Sequence, residues 1–401
     1  MMELLWLLLP VAAASGWFAA KRNSAQKESP VFDCTPAYFR GLNYLLNEQP
    51  DKAIDVFVEM LEVDSETVET HLALGNLFRR RGEVDRAIRI HQNLIARPTL
   101  SRSQRAQALL ELGQDYMRAG LFDRAENLFK ELGDLNYYQD QALENLRIIY
   151  QQEKEWRKCL EVAAKLEKLT GESLAGECAH YYCELVEEAQ SRKDDSLARS
   201  LLKKARATDR ESVRANLLQA RMEAAEGSFN SAINTFSRIE QQDPAYISEF
   251  LPALIECYRQ QGGKRELAHY LRKLFSKHQS IPSALALVDI LQEDESDETA
   301  IAFLNDYLNR EPDLEGLGKL IALNLKTVGC KEEEMFLMIQ QLIGKLLKNR
   351  PAYQCSRCGF TAKTLHWQCP SCNTWGSIKP HSGQLDSEAN GGLLNHFPKK
   401  A

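Results

Sequence analysis

Between about residue 34 and residue 350 one arrangement of small and aromatic residues keeps returning, and this recurrence sharply limits the folds open to the chain. Gly41, Tyr44 and Ala53 reappear 34 positions later as Gly75, Phe78 and Ala87. After four extra residues around Arg97, Pro98 and Thr99 the frame resumes as Gly113, Tyr116, Ala125 and Phe129. A further shift of 34 gives Tyr150 and Cys159, with the cysteine at the alanine position. Ala198, then Ala232 with Phe236, then Ala300 with Leu304, extend the pattern. The intervening sequence is helical in character almost throughout. Small residues let the two helices of a pair cross closely, and aromatics fill the gap to the next pair. One such pair cannot bury its own apolar face, so the pairs must stack.

A 34-residue period with these positions resembles the tetratricopeptide repeat. It predicts an all-α superhelix of about eight or nine helical hairpins over residues 37–350. Asp243-Pro244 and Glu311-Pro312 fall where one hairpin gives way to the next, as expected for proline. Such an array presents a concave surface lined by the first helix of each pair. Its exposed positions in the second and third repeats include Asn76, Arg79, Arg80, Gln114 and Arg118. Asn76 with Arg80, and Gln114 with Arg118, share a helical face and could clamp an acidic peptide or a carboxylate. An ordinary solvated face fits the same residues. His71 and His91 fall at packing positions and read as core rather than as ligands.

Nothing in the chain resembles an active site. H-E-x-x-H, the Walker loop, G-x-S-x-G and G-x-G-x-x-G are all absent from the sequence. Runs such as Glu187-Glu188 and Glu332-Glu333-Glu334 read as solvated helix faces. The net charge of −6 does not suit a general polyanion binder.

The strongest chemical signal lies near the C-terminus. Cys355 and Cys358 form one C-x-x-C pair, and Cys369 and Cys372 form a second after ten intervening residues. Two such turns converging on one point supply the four thiolates of a metal site, for which zinc and iron are both suitable. Two disulfides or four free thiols are the other ways to use these residues. Gly359 can take the positive φ that a tight knuckle needs, and Pro370 stiffens the second turn. Tyr353, Phe360, Trp367 and Trp375 are the bulky material available for the core of this knot and for its contact with the repeats, and Trp375 is its candidate partner-binding position. The remaining cysteines (Cys34, Cys159, Cys178, Cys183, Cys257 and Cys330) are scattered through helical patterns and read as small buried residues in a reducing compartment.

A tetrathiolate knot can be a structural docking module, an electron carrier or a nucleic-acid ribbon. From Pro351 to Pro380 there are three basic residues, Arg357, Lys363 and Lys379, and no acidic one. A divalent ion with four thiolates contributes −2, leaving a charge of about +1, too weak for tracking phosphates. An electron carrier would need a redox partner domain, and the sequence shows none. The docking module is therefore the leading reading.

The N-terminus adds a membrane signal. Leu4 to Ala20 is free of charge, with Trp6 and Trp17 near its ends. At ~1.5 Å per residue it spans about 25 Å, near the lower limit for a transmembrane helix. Met-Met-Glu precedes it, whereas a cleaved signal peptide, the competing reading, favours a basic start. Lys21, Arg22 and Lys27 follow it, which keeps the downstream chain cytoplasmic. The expected layout is a transmembrane anchor over 1–20, a linker over 21–36, the array over 37–350, the metal-binding domain over 351–380 and a disordered polar tail over 381–401.

An anchor, a tetratricopeptide array and a Tyr-x-Cys-x-x-Cys-Gly…Trp-x-Cys-Pro-x-Cys knot, in that order, together resemble the lipopolysaccharide assembly protein B family over essentially the whole chain. The knot is similar to rubredoxin, with a far shorter arm between its pairs. The resemblance implies a non-enzymatic adaptor on the cytoplasmic face of the bacterial inner membrane. Such an adaptor works with the membrane-bound FtsH protease to promote degradation of the deacetylase LpxC, and connects to lipopolysaccharide assembly factors. It also implies one metal ion, iron or zinc, on Cys355, Cys358, Cys369 and Cys372. An electron-transfer protein with a tetrathiolate iron centre, or a general envelope-biogenesis scaffold, are the alternatives.

Overall fold

The structure, a computed structural model, describes residues 68–98, 100–325 and 333–381, with isolated positions between 39 and 56. The expected anchor, the linker, nearly all of the expected tail, Cys34 and Cys330 lie outside the described residues. Among the described residues no helix is long and apolar enough to cross a membrane. Two compact units divide between Ile149 and Tyr150.

The first unit holds α1 (Val68–Arg80), α2 (Val84–Ile95), α3 (Arg102–Arg118), α4 (Phe122–Asp134) and most of α5 (Gln139–Gln152). Ser101 starts α3 with a capping box: its hydroxyl accepts from the Gln104 amide, and the Gln104 side chain accepts from the Ser101 amide. Two of the four otherwise unpaired amides at the helix start are thereby satisfied. α1 packs on α2, α3 on α4, and the first helices α1 and α3 also touch each other. This is the packing of stacked hairpins.

The repeated residues explain how close these helices come. Gly75 on α1 faces His91 on α2, and a Cβ at Gly75 would lie 2.3 Å from the imidazole Nε2. Gly113 on α3 faces Phe129 on α4, where a Cβ would lie 2.6 Å from the ring. Ala87, Ala125 and Phe129 are wholly buried. Tyr44 packs against the cluster of Leu74, Phe78, Ala87 and Ile90.

The second unit continues with α6 (Trp156–Thr170), α7 (Ala175–Ser191), α8 (Asp195–Thr208), α9 (Val213–Ala225), α10 (Phe229–Gln242), a 3₁₀ turn (Pro244–Tyr246), α11 (Ile247–Gln260), α12 (Lys264–His278), α13 (Ile281–Asp294), α14 (Asp297–Arg310), α15 (Leu314–Asn324) and α16 (Glu333–Asn349). The first helices α7, α9, α11, α13 and α15 touch in succession and form one continuous inner row. Cys159, Ala198, Ala232, Phe236, Ala300 and Leu304, all picked out by the repeat, are wholly buried. Asp243 caps the turn that opens with Pro244, and the Glu311-Pro312 step separates α14 from α15, so both prolines stand between hairpins. Cys159, Cys178, Cys183 and Cys257 are buried, consistent with their reading as small core residues.

The turn inside each of six successive hairpins carries one left-handed residue: Gly82, Gly120, Lys154, Lys193, Gly227 and Gly262. A left-handed backbone is costly for residues with a Cβ, which is why glycine dominates this position. We expect Gly113→Ala to destabilise the first unit by about 1–3 kcal/mol through overpacking against Phe129. Thermal unfolding followed by circular dichroism checks this, and an unchanged midpoint would contradict the close crossing.

Candidate metal centre and its docking face

The knot is a small three-stranded antiparallel sheet. Its strands are β1 (Tyr353–Cys355), β2 (Thr361–Ala362) and β3 (Ile378–Pro380), in the order β2-β1-β3. Tyr353 faces Ala362 on one side and Pro380 on the other.

The two C-x-x-C turns are built alike. After the first pair, the Gly359 amide donates to the Cys355 carbonyl at 3.0 Å, and Gly359 has φ +75°. After the second, the Asn373 amide donates to the Cys369 carbonyl at 2.8 Å, and Asn373 has φ +55°. Asn373 is thus the structural counterpart of Gly359. Asparagine is among the few side chains that tolerate this conformation, so Asn373, rather than Pro370 alone, shapes the second turn. Backbone amides of Arg357 and Cys358 bond to the Cys355 sulfur, and those of Ser371 and Cys372 to the Cys369 sulfur.

The four sulfurs all lie within 4.8 Å of one another. Cys355 and Cys372 are 3.8 Å apart and Cys358 and Cys369 are 3.6 Å apart. Metal–sulfur bonds of about 2.3 Å place tetrahedral thiolates about 3.8 Å apart, so this donor set fits one tetrahedral ion. Disulfide sulfurs would stand about 2.05 Å apart, and none of the four is so joined. The Ser377 hydroxyl, 3.3 Å from the sulfur, brings the Cys355 thiol down to about 6. Thr374 lowers Cys372, whereas burial pushes Cys369 up to about 11. Two of the four are thus eased toward the thiolate that a metal requires, and the wholly buried one needs the ion's own charge.

The knot sits on the inner row of helices of the second unit, held by its two tryptophans. Trp375 stacks on His180 of α7 with ring centres 5.0 Å apart. It also meets Trp156 and Tyr181 edge-on at 5.9 and 5.8 Å. Its indole N–H and the Gln368 amide both donate to Gln151, at 3.1 and 3.0 Å. Trp367 stacks on Tyr246 at 5.7 Å, and the Arg214 guanidinium stands 5.6 Å from its ring centre. Polar contacts close the edge: Tyr353 donates to Glu249 at 2.7 Å, Tyr246 to the Ile378 carbonyl at 3.2 Å and Lys379 to Asp243 at 2.7 Å. Gly376 has φ +62° and would bring a Cβ to 3.3 Å from His180, so it allows both the turn and the close approach.

Trp375, a candidate partner-binding position in the sequence, therefore has its ring taken up by this chain's own array. Arg79 is also committed internally. Its guanidinium donates to Asn76 at 2.8 Å, to Glu111 at 2.6 Å and to Asp115 at 2.8 Å, and Asp115 in turn bonds the wholly buried His91 at 2.5 Å. Arg80 and Arg118 are exposed, Asn76 and Gln114 half-buried. His71 and His91 are buried. His180 and Arg214 escaped the sequence reading, because a histidine or arginine inside a helical pattern carries no local sign of its partners.

A profile described as the rubredoxin metal binding domain matches residues 353–380, and a tetratricopeptide-repeat profile matches residues 70–105. Lipopolysaccharide assembly protein B of Escherichia coli K12 is 41% identical over 385 residues, covering 96% of this chain and 99% of the relative. The protein of that name in Haemophilus influenzae is 35% identical over 397 residues, with the same coverage of each chain. The chain belongs to the lipopolysaccharide assembly protein B family. In this member the two profile matches correspond to the α1–α3 region of the first unit and to the tetracysteine knot.

Two outcomes follow from the geometry. Cys355→Ser should abolish stoichiometric metal and amide protection across residues 353–380 while leaving helical circular dichroism nearly unchanged. Metal analysis with hydrogen exchange reads both, and retained metal would refute the tetrathiolate assignment. Docking should also depend on pH. Burial, with the Arg214 charge nearby, pushes His180 down to about 3 from its ordinary 6.5. Glu184 and Glu187 face the same guanidinium from α7. The docked state holds His180 neutral, whereas a released His180 binds a proton below 6.5, so docking weakens as pH falls through 6.5 toward 3 and is insensitive above. Hydrogen exchange of the Trp367–Gly376 amides, corrected for intrinsic rates, should show this loss in the parent chain and a flatter profile in His180→Phe.

Proposed function

We propose that the chain is a non-catalytic adaptor in lipopolysaccharide assembly, tethered to the inner membrane by residues 1–20, with residues 37–350 and 351–380 on the cytoplasmic side. In this reading residues 21–36 are a linker and 381–401 a tail. The adaptor holds LpxC for the membrane-bound FtsH protease, and so limits commitment of precursor to lipid A. The observation that carries the reading is the knot's position on the inner helix row. A metal-folded module set against an array of hairpins is a means of fixing a protein-binding surface. It does not resemble the cleft of an enzyme. The name of the relatives supports the lipopolysaccharide role, and the resemblance supports the protease and the client.

On this reading the metal, iron or zinc, is a staple. When bound it supplies the folding energy of the knot, while Trp367 and Trp375 transmit that order to α7, α9 and α11. Arg80, Gln114 and Arg118 are the proposed client-facing positions, organised by the Arg79 network beside them. Depletion of the chain should lengthen the half-life of LpxC several-fold in a chase experiment, and Arg80→Ala with Arg118→Ala should reproduce part of that effect. An unchanged half-life on depletion would sink the adaptor reading. Full function with zinc in place of iron would exclude an electron-transfer role.

A further inference from the structure

α16, the last helix among the described residues, exposes apolar side chains as well as burying them. Ile343 of α16 is buried, and a Cβ at Gly318 of α15 would lie in van der Waals contact with it at 3.5 Å. One flank of α16, about 60–140° round the helix from Ile343, carries Met338, Leu342 and Leu346, which are 63%, 48% and 59% exposed, and Leu337, 42% exposed, lies on the other flank. Met338, Leu342 and Leu346 are spaced by four and form one row. The terminal helix of a repeat array normally turns a polar face outward. Here Met338, Leu342 and Leu346 stand together on an exposed flank, a grouping that marks an interaction surface.

The surrounding charge says what kind of surface would cover it. From Met335 to Leu385 the sequence holds six basic residues, Lys345, Lys348, Arg350, Arg357, Lys363 and Lys379, and no aspartate or glutamate, in a chain whose net charge is −6. Lys345 and Lys348 are exposed beside the apolar row. Lys363 of the knot donates to the Lys348 carbonyl at 2.9 Å, which adds a third cation at the C-terminal end of the helix. An apolar row of leucine and methionine flanked by lysines, on a helix whose acids, Glu333 and Glu334, stand at its start, is the pattern of a helix lying in an anionic lipid interface. Long lysine side chains there reach the headgroups while the apolar row enters the acyl boundary.

We infer that the outer face of α16 is a second membrane contact, which binds the surface of an anionic phospholipid bilayer through Met338, Leu342 and Leu346 with Lys345, Lys348 and Lys363. The contact would hold the knot end of the second unit against the membrane. From the preceding section the inference takes only that the chain works at a membrane surface.

The test uses the full chain in nanodiscs, with a photo-crosslinking amino acid at Leu342 and, as control, at Leu169, which is 47% exposed on α6. With phosphatidylglycerol-rich discs, position 342 should give phospholipid adducts by mass spectrometry at several times the yield at position 169. The yield should fall about tenfold in pure phosphatidylcholine, or when Lys345→Gln and Lys348→Gln are combined. Adducts at 342 to a second copy of the chain, or lipid adducts no more abundant than at 169, would overturn the inference. Resistance of the chain–disc association to alkaline carbonate reads the N-terminal anchor separately. An anchored chain without adducts defeats this inference alone, and a carbonate-sensitive chain with adducts defeats the anchor alone.

Discussion

A buried guanidinium sets the terms for the junction between array and knot. Arg214 is 2% exposed, and an uncompensated charge at such depth costs several kcal/mol of lost hydration. Glu184 and Glu187, three residues apart on α7, both reach it, and the ring of Trp367 lies beside it. Arg214 itself is on α9. Its environment therefore needs two array helices and the knot together. Removal of the knot would return water to the guanidinium and to His180. Removal of either glutamate would leave the cation short of a partner beneath an aromatic lid. This mutual requirement turns a small metal-binding appendage into a part of the array.

The same inner helix positions are used in two ways. In the second unit Trp367 and Trp375 cover them. In the first unit the corresponding chemistry is a polar chain, Asn76 to Arg79 to Glu111 and Asp115, ending on His91. Arg79 is too well satisfied to be a free anchor for an acidic partner, yet it fixes the surface on which Arg80 and Arg118 are exposed. Stacked hairpins allow such a division because each pair needs only its neighbours for burial. Each unit can therefore put its first-helix positions to a different use.

Much of the fold can be read from the small-residue frame. Gly75, Gly113, Ala87, Ala125, Cys159, Ala198, Ala232 and Ala300 all stand at close crossings or in the core, because a helix pair leaves no room for a larger side chain at those points. The clustering of the four knot cysteines was equally legible, since C-x-x-C brings two sulfurs together by local geometry alone. Other features escaped for want of a local signal. Lys154 and Lys193 occupy turn positions that glycine marks elsewhere, and Asn373 matches Gly359 without sharing its residue type. Trp375 was visible as bulky material for the array contact, but its partner Gln151 stands 224 residues away. The bond from Tyr246 to Ile378 spans 132 residues.

The sequence by itself determined the repeat, the helix pairs that follow from it and the four cysteines that converge. Each is encoded within one hairpin or one turn, where spacing along the chain is also spacing in space. The tertiary structure alone decided that the knot lies on α7, α9 and α11, that His180 and Arg214 are buried beneath it, and that α16 turns an apolar row outward. Those outcomes depend on which surfaces meet once the helices have stacked, and packing between distant segments leaves no period in the sequence to read.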